Sequence, residues 1–140
     1  MSFCRYIIVF LRRFLENNMG RGLICVLLLV CSNIFMILAW YGHIALKNVS
    51  WFKALPLIAI ILLSWFVALF EYLLQVPANR IGAEQLGGPF SLLHLKVIQE
   101  VITLIVFVAF NMIVFDYHIK VNHLIGFAFL VAAVYFIFKG

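Results

Sequence analysis

A chain of 140 residues that is 67% hydrophobic and 11% charged cannot clothe a water-soluble globule, because soluble domains carry about 25% charged residues. Its apolar runs must face lipid, and at roughly 20 residues per transmembrane helix four spans fit this length. The net charge of +5 is no nucleic-acid signature: Arg5, Arg12, Arg13 and Arg21 precede the first long apolar run, and the remaining cations lie near helix ends, the pattern of membrane topology and headgroup contact.

Residues 1–20 read as an amphipathic extension. Ile7, Ile8, Phe10, Leu11, Phe14 and Leu15 share one helical face, and Arg5, Arg12 and Glu16 the other, which predicts a helix lying in the membrane interface. Met19 is an alternative start. A secretory signal fits less well, since the apolar run is short and no small-residue cleavage pattern follows. Residues 21–140 form the expected four-helix transmembrane domain, with spans about 22–46, 54–75, 91–115 and 121–138.

The first span holds one strongly polar mid-membrane residue, Asn33, and gathers Trp40, Tyr41 and His43 near its far end, where an aromatic belt belongs. Lys47–Lys53 is a short connection, so the first two spans make an antiparallel hairpin. On the second span Ser64, Ala68, Glu71 and Gln75 fall within a sector of roughly 60°. Pro77 is expected to end or sharply bend that helix, leaving 76–90 as the longest internal loop, with turns at Gly82, Gly87, Gly88 and Pro89. Ser91 is a natural N-cap for the third span, on which Lys96, Glu100, Thr103 and Asn111 form a second polar stripe, flanked by Gln99. The fourth span is barely long enough to cross. Its Asn122, Gly126 and Ala133 share a side suited to close helix approach.

Orientation follows from the Lys and Arg distribution. Arg5, Arg12, Arg13, Arg21, Arg80, Lys96 and Lys139 fall on the side of the termini, against Lys47, Lys53 and Lys120 on the other. Both termini are therefore expected in the cytoplasm. A start at Met19 removes three of the seven, and the bias nearly vanishes.

The stretch Glu71–Glu100 concentrates polar groups that are costly at the ends of membrane helices. Glu71 and Glu100 descend from the same membrane face and could line one cavity, exchanging protons in a low-dielectric site. Their bland account is pairing with Arg80 and Lys96, pinning the loop to the bundle. Arg80 is either a topology anchor or a contact for an anionic group, with Asn79 and Lys96 beside it. Gln75, Gln99, Thr103, Asn33 and Trp40 complete the candidate substrate and proton-coupling set. Trp40 shares a face with Asn33 and could line a cavity. Most other aromatics are belt or lipid-facing residues.

Cys4, Cys25 and Cys31 make no C-x-x-C pair and read as free thiols. His43, His118 and His123 should lie at one membrane face. Interfacial hydrogen bonding is their plain account, and a pH sensor or metal site the sharper one. No metal-ligand spacing, cofactor motif, phosphate loop or nucleophile–base set stands out, so neither an enzyme nor a metal or cofactor is expected.

Three blocks carry a family likeness: S-N-I-F-M-I-L-A-W-Y-G-H (32–43), F-E-Y-L-L-Q-V-P-A-N-R-I-G (70–82) and F-S-L-L-H-L-K-V-I-Q-E-V-I-T-L-I-V-F (90–107). Over about Gly22 to Lys139 the chain resembles an uncharacterised four-helix family of the drug/metabolite transporter (DMT) superfamily. The resemblance implies an all-α integral membrane protein of four transmembrane helices in a bundle. It also implies an inner (plasma) membrane setting in bacteria, and a homodimer if the protein transports, as in the superfamily's small proton-coupled exporters. Those exporters resemble one another in a glutamate midway along the first helix. Here that span offers only Asn33, so a coupling carboxylate would have to be Glu71 or Glu100.

Two functions follow as expectations. One is a small transporter of drug/metabolite type, proton-linked, with an unidentified small-molecule substrate. The other is a non-transporting accessory or structural membrane protein that binds a partner.

Overall fold

A computed structural model describes residues 17–139. Most of the amphipathic extension expected at 1–20 thus lies outside the described residues. Four long helices dominate: α1 (Asn18–Ala45), α2 (Leu57–Gly82), α3 (Leu92–Phe115) and α4 (Val121–Lys139). All four are long and apolar enough to cross a membrane, with mean hydropathy from 2.1 to 2.6. At 1.5 Å per residue, α4 alone measures about 28 Å, just short of a hydrocarbon core of about 30 Å.

The helix starts follow from local chemistry. The Asn17 side chain accepts the Met19 N–H at 3.3 Å, and Ser91 Oγ accepts the His94 N–H at 3.2 Å. Each satisfies one of the donors that a helix start leaves orphaned. Between α1 and α2 the chain makes a 3₁₀ turn, Leu46–Asn48, and one helical turn, Ser50–Lys53, whose Phe52 is buried.

Pro77 does not end the second helix. α2 continues through it to Gly82, so the helical part runs seven residues beyond Gln75. Pro77 removes a single N–H, while Gln75, Ala78 and Gly82 on the same stretch are buried. That packing holds the backbone helical, and membrane helices tolerate proline under such conditions. Asn79 and Arg80, expected in a loop, are therefore in the last turn of α2.

The connection left between α2 and α3 is short and self-bonded. Ala83 and Phe90 form an isolated bridge. The Glu84 N–H donates to Phe90 O at 2.8 Å, the Phe90 N–H to Gly82 O at 2.9 Å, and the Gly88 N–H to Ala83 O at 2.8 Å. Gly87 sits at φ +78°, the left-handed region, where glycine carries no Cβ penalty. Gly88 is required by space: a Cβ there would run into the carbonyl group of Gly82.

α1 is the hub. It packs along α2 and against α3, while α4 rests thinly on α3. The contiguous core, Cys25, Leu29, Ala78, Ala83, Leu95 and Ile102, sits at the end bearing the α2–α3 connection. There Gly82 lets α2 close on its neighbours: a Cβ on it would stand 2.5 Å from Cys25 Sγ. His94 stacks on Phe138 with ring centroids 4.3 Å apart, tying the start of α3 to the end of α4.

Candidate functional site

Neighbouring residues on a helix point about 100° apart, and α1 uses that to address two partners. Ser32 Oγ donates to Gln75 Oε1 of α2 at 2.8 Å. The Asn33 side chain turns the other way, where its Oδ1 accepts from Thr103 Oγ1 of α3. Thr103 Oγ1 also lies 2.8 Å from the Gln99 carbonyl on its own helix, so its one proton is shared between two acceptors. Asn33 Nδ2 donates back to Leu29 O at 2.8 Å. Ser32, Asn33 and Gln75 are buried, and every buried side-chain nitrogen and oxygen among the described residues has a partner. A two-residue polar step midway along α1 thus links three helices.

Cavities open beside this layer, toward the face opposite the α2–α3 connection. One, of about 320 Å³, lies between α1 and α3 and is lined by Ile37, Trp40, Tyr41, Glu100, Thr103 and Phe107, among others. A second, of about 470 Å³, lies between α1 and α2, with Trp40, His43, Ser64, Trp65 and Ala68 in its wall. Trp40 borders both. The rings of Phe35 and Phe70 stack at 5.6 Å and those of Tyr41 and Phe107 meet at 5.0 Å, so aromatic contacts also bridge α1 to each neighbour.

The candidate residues divide accordingly. Asn33 and Thr103 meet directly, and Gln75 is in the same polar layer through Ser32. Gln99 enters through its backbone carbonyl. Glu71 shares the Gln75 face of α2, one turn away, and is half-buried. Glu100 is exposed, borders the α1–α3 cavity and pairs with Lys96 one turn back on its own helix. That pair ties no loop down. The anchor of the α2–α3 connection is Arg21 instead: its Nε donates to Ile81 O at 3.2 Å and a terminal guanidinium nitrogen to Leu86 O at 3.0 Å. Arg80 is exposed on the last turn of α2.

Ser32 and Arg21 are the residues that sequence reasoning passed over. Ser32 carried a readable signal, a hydroxyl adjoining the single mid-span amide. Arg21 carried none beyond its charge, because its partners are carbonyls sixty and sixty-five positions away.

This arrangement of four apolar helices has a match. The family model DMT_6, described as "Putative member of DMT superfamily (DUF486)", covers residues 25–138. The chain belongs to the DMT_6 family. No curated protein and no solved structure matches it. Membership in DMT_6, with four helices fit to cross a membrane, makes the chain an integral membrane protein of transporter type. The DMT_6 match spans all four helices, including the Ser32–Asn33 step, the Gln75 partner and Thr103.

Proposed function

We propose that this DMT_6 protein is a small proton-linked secondary transporter whose substrate sits between α1 and α3. The observation that carries the reading is the cavity bordered by Glu100 and Thr103 and placed beside the buried Asn33–Thr103 contact. An apolar, aromatic-walled space with a few converging polar groups is the usual form of a small-molecule site, and membrane carriers place such sites between helices near mid-depth. Thr103 and Asn33 supply hydrogen bonding, Trp40 and Tyr41 an aromatic wall, and Glu71 or Glu100 a carboxylate that gains and loses a proton as access alternates. In this reading the protein sits in a bacterial inner membrane with both termini cytoplasmic, and two copies act together.

A second reading has one observation in its favour. The buried polar layer is already satisfied within the protein, as expected of a clamp in an accessory protein rather than of a site awaiting a ligand.

Proton release separates the two. Purified protein in weakly buffered solution is mixed with a panel of cations, amines and small metabolites. Transport coupling predicts release on addition of one chemical class, abolished in Glu71→Gln or Glu100→Gln while the protein stays folded. Silence across the panel, together with a Glu71→Gln/Glu100→Gln double variant that fails to fold or assemble, favours the accessory reading.

A further inference from the structure

The turn between α3 and α4 holds an imidazole with both nitrogens engaged. The Lys120 backbone N–H donates to His123 Nδ1 at 3.0 Å, and Tyr117 Oη lies 3.3 Å from His123 Nε2. Lys120 is the residue before α4 begins, and its carbonyl accepts the His123 N–H at 2.9 Å. His123 at the third helical position therefore reaches back to the capping residue's N–H. This is the place that glutamate or glutamine takes in a capping box.

The geometry fixes the tautomer. A nitrogen that accepts an N–H carries no proton of its own, so neutral His123 is protonated on Nε2 and donates to Tyr117 Oη. Adding a proton turns Nδ1 into a donor facing a donor. It also puts a positive charge at a helix N-terminus, where the macrodipole disfavours it. The first turn of α4 has no acidic residue, and among the described residues no carboxylate pairs with the ring. The ionisable groups of the turn are Asp116, Tyr117, His118 and Lys120, and from α3 the uncharged Asn111 borders the same cavity of about 300 Å³. With α4 resting thinly on α3, this turn and the His94–Phe138 stack at the other end are tethers that matter.

We propose that His123 is a proton-binding site that latches the start of α4: closed while the imidazole is neutral, released when it is protonated. The latch holds while Nδ1 accepts the Lys120 N–H and is lost once that nitrogen carries a proton. Release frees the Tyr117–His123 side of the α3–α4 cavity and loosens the first turns of α4.

Backbone hydrogen exchange of the full chain in lipid nanodiscs tests this, at about pH 8 and about pH 5, corrected for the intrinsic pH dependence of exchange. Protection of the amides from Lys120 to Phe127 is expected to fall about fivefold or more at the lower pH, the scale of a lost cap. His123→Gln keeps an acceptor but does not titrate, so it should stay protected at both. His123→Ala should be unprotected at both, and His118→Gln should behave as the wild type does. Should the alanine variant not fold, the glutamine variant still decides. Equal protection of the wild type at the two pH values, or pH dependence that survives His123→Gln, overturns the proposal. So does a ¹⁵N spectrum that places the neutral proton on Nδ1.

Discussion

Ser32 and Asn33 show how much one step along a helix can carry. One residue binds α2 and its neighbour binds α3, each through a side chain sealed from water and lipid. Removing one member of such a pair should cost more than removing both, because a lone buried polar group keeps its desolvation penalty. Ser32→Ala is thus expected to destabilise the folded protein by about 1 kcal/mol, the scale of interhelical hydrogen bonds in membranes. Ser32→Ala combined with Gln75→Leu should recover most of that loss. Reversible unfolding in mixed micelles, compared across the two single variants and the double, checks the sign. Gly88 supports a blunter expectation. Its missing Cβ is the only way the connection can fold back on Gly82, and the obstacle is backbone that has nowhere to move. Gly88→Ala should lower stability by about 1–3 kcal/mol, as overpacking does, visible as a fall in the thermal midpoint.

At the scale of elements, α2 departs most from what its sequence suggests. Proline is read as a terminator because it lacks a donor and crowds the preceding turn. That reading weighs local cost alone, and the burial of Ala78 and Gly82 against α1 and α3 is a tertiary gain invisible from position 77. Pro77→Leu should therefore leave the fold intact, and circular dichroism should show no loss of helix. The end of α2 depends more on Arg21, whose planar fork reaches Ile81 and Leu86 at once. Arg21→Ala should cost about 1 kcal/mol. Arg21→Lys should not restore it, since an ammonium cannot serve two carbonyls set apart in this way. Unfolding midpoints of the three proteins measure this directly. The Ser91 cap, the short turn after α3 and the start of α4 follow from local residue chemistry, whereas α1 starts at Asn18 and α2 at Leu57 rather than at about 22 and 54. The polar stripes were legible as well, because 3.6-residue periodicity survives in any environment. Which stripe residues meet was not. Asn33 and Thr103 are seventy positions apart, and only the placement of α1 between α2 and α3 joins them. The same placement puts Glu71 on the α2 flank and Glu100 at the α1–α3 cavity.

The whole molecule is uneven along the membrane normal. One end carries a packed core and a stitched connection, with an open groove of about 420 Å³ along Gly22, Val26, Pro89 and Phe90, and the other is divided by cavities around Trp40. Composition revealed the membrane and the helix count, and it could not reveal this asymmetry, since lipid-facing and core-facing Leu, Ile and Phe look alike in sequence. The practical consequence concerns where the chain can be interrupted. The glycine-rich stretch around Gly87–Pro89 looks like the obvious place to splice in an epitope or a fluorescent protein. Yet hydrogen bonds cross it from Gly82 to Phe90 and Arg21 grips its middle. An inserted sequence there should abolish monodisperse protein on size-exclusion chromatography. The same insertion after Ala54, an exposed residue between Lys53 and the start of α2, should pass unnoticed, so the tag that reports on this protein belongs on the opposite face.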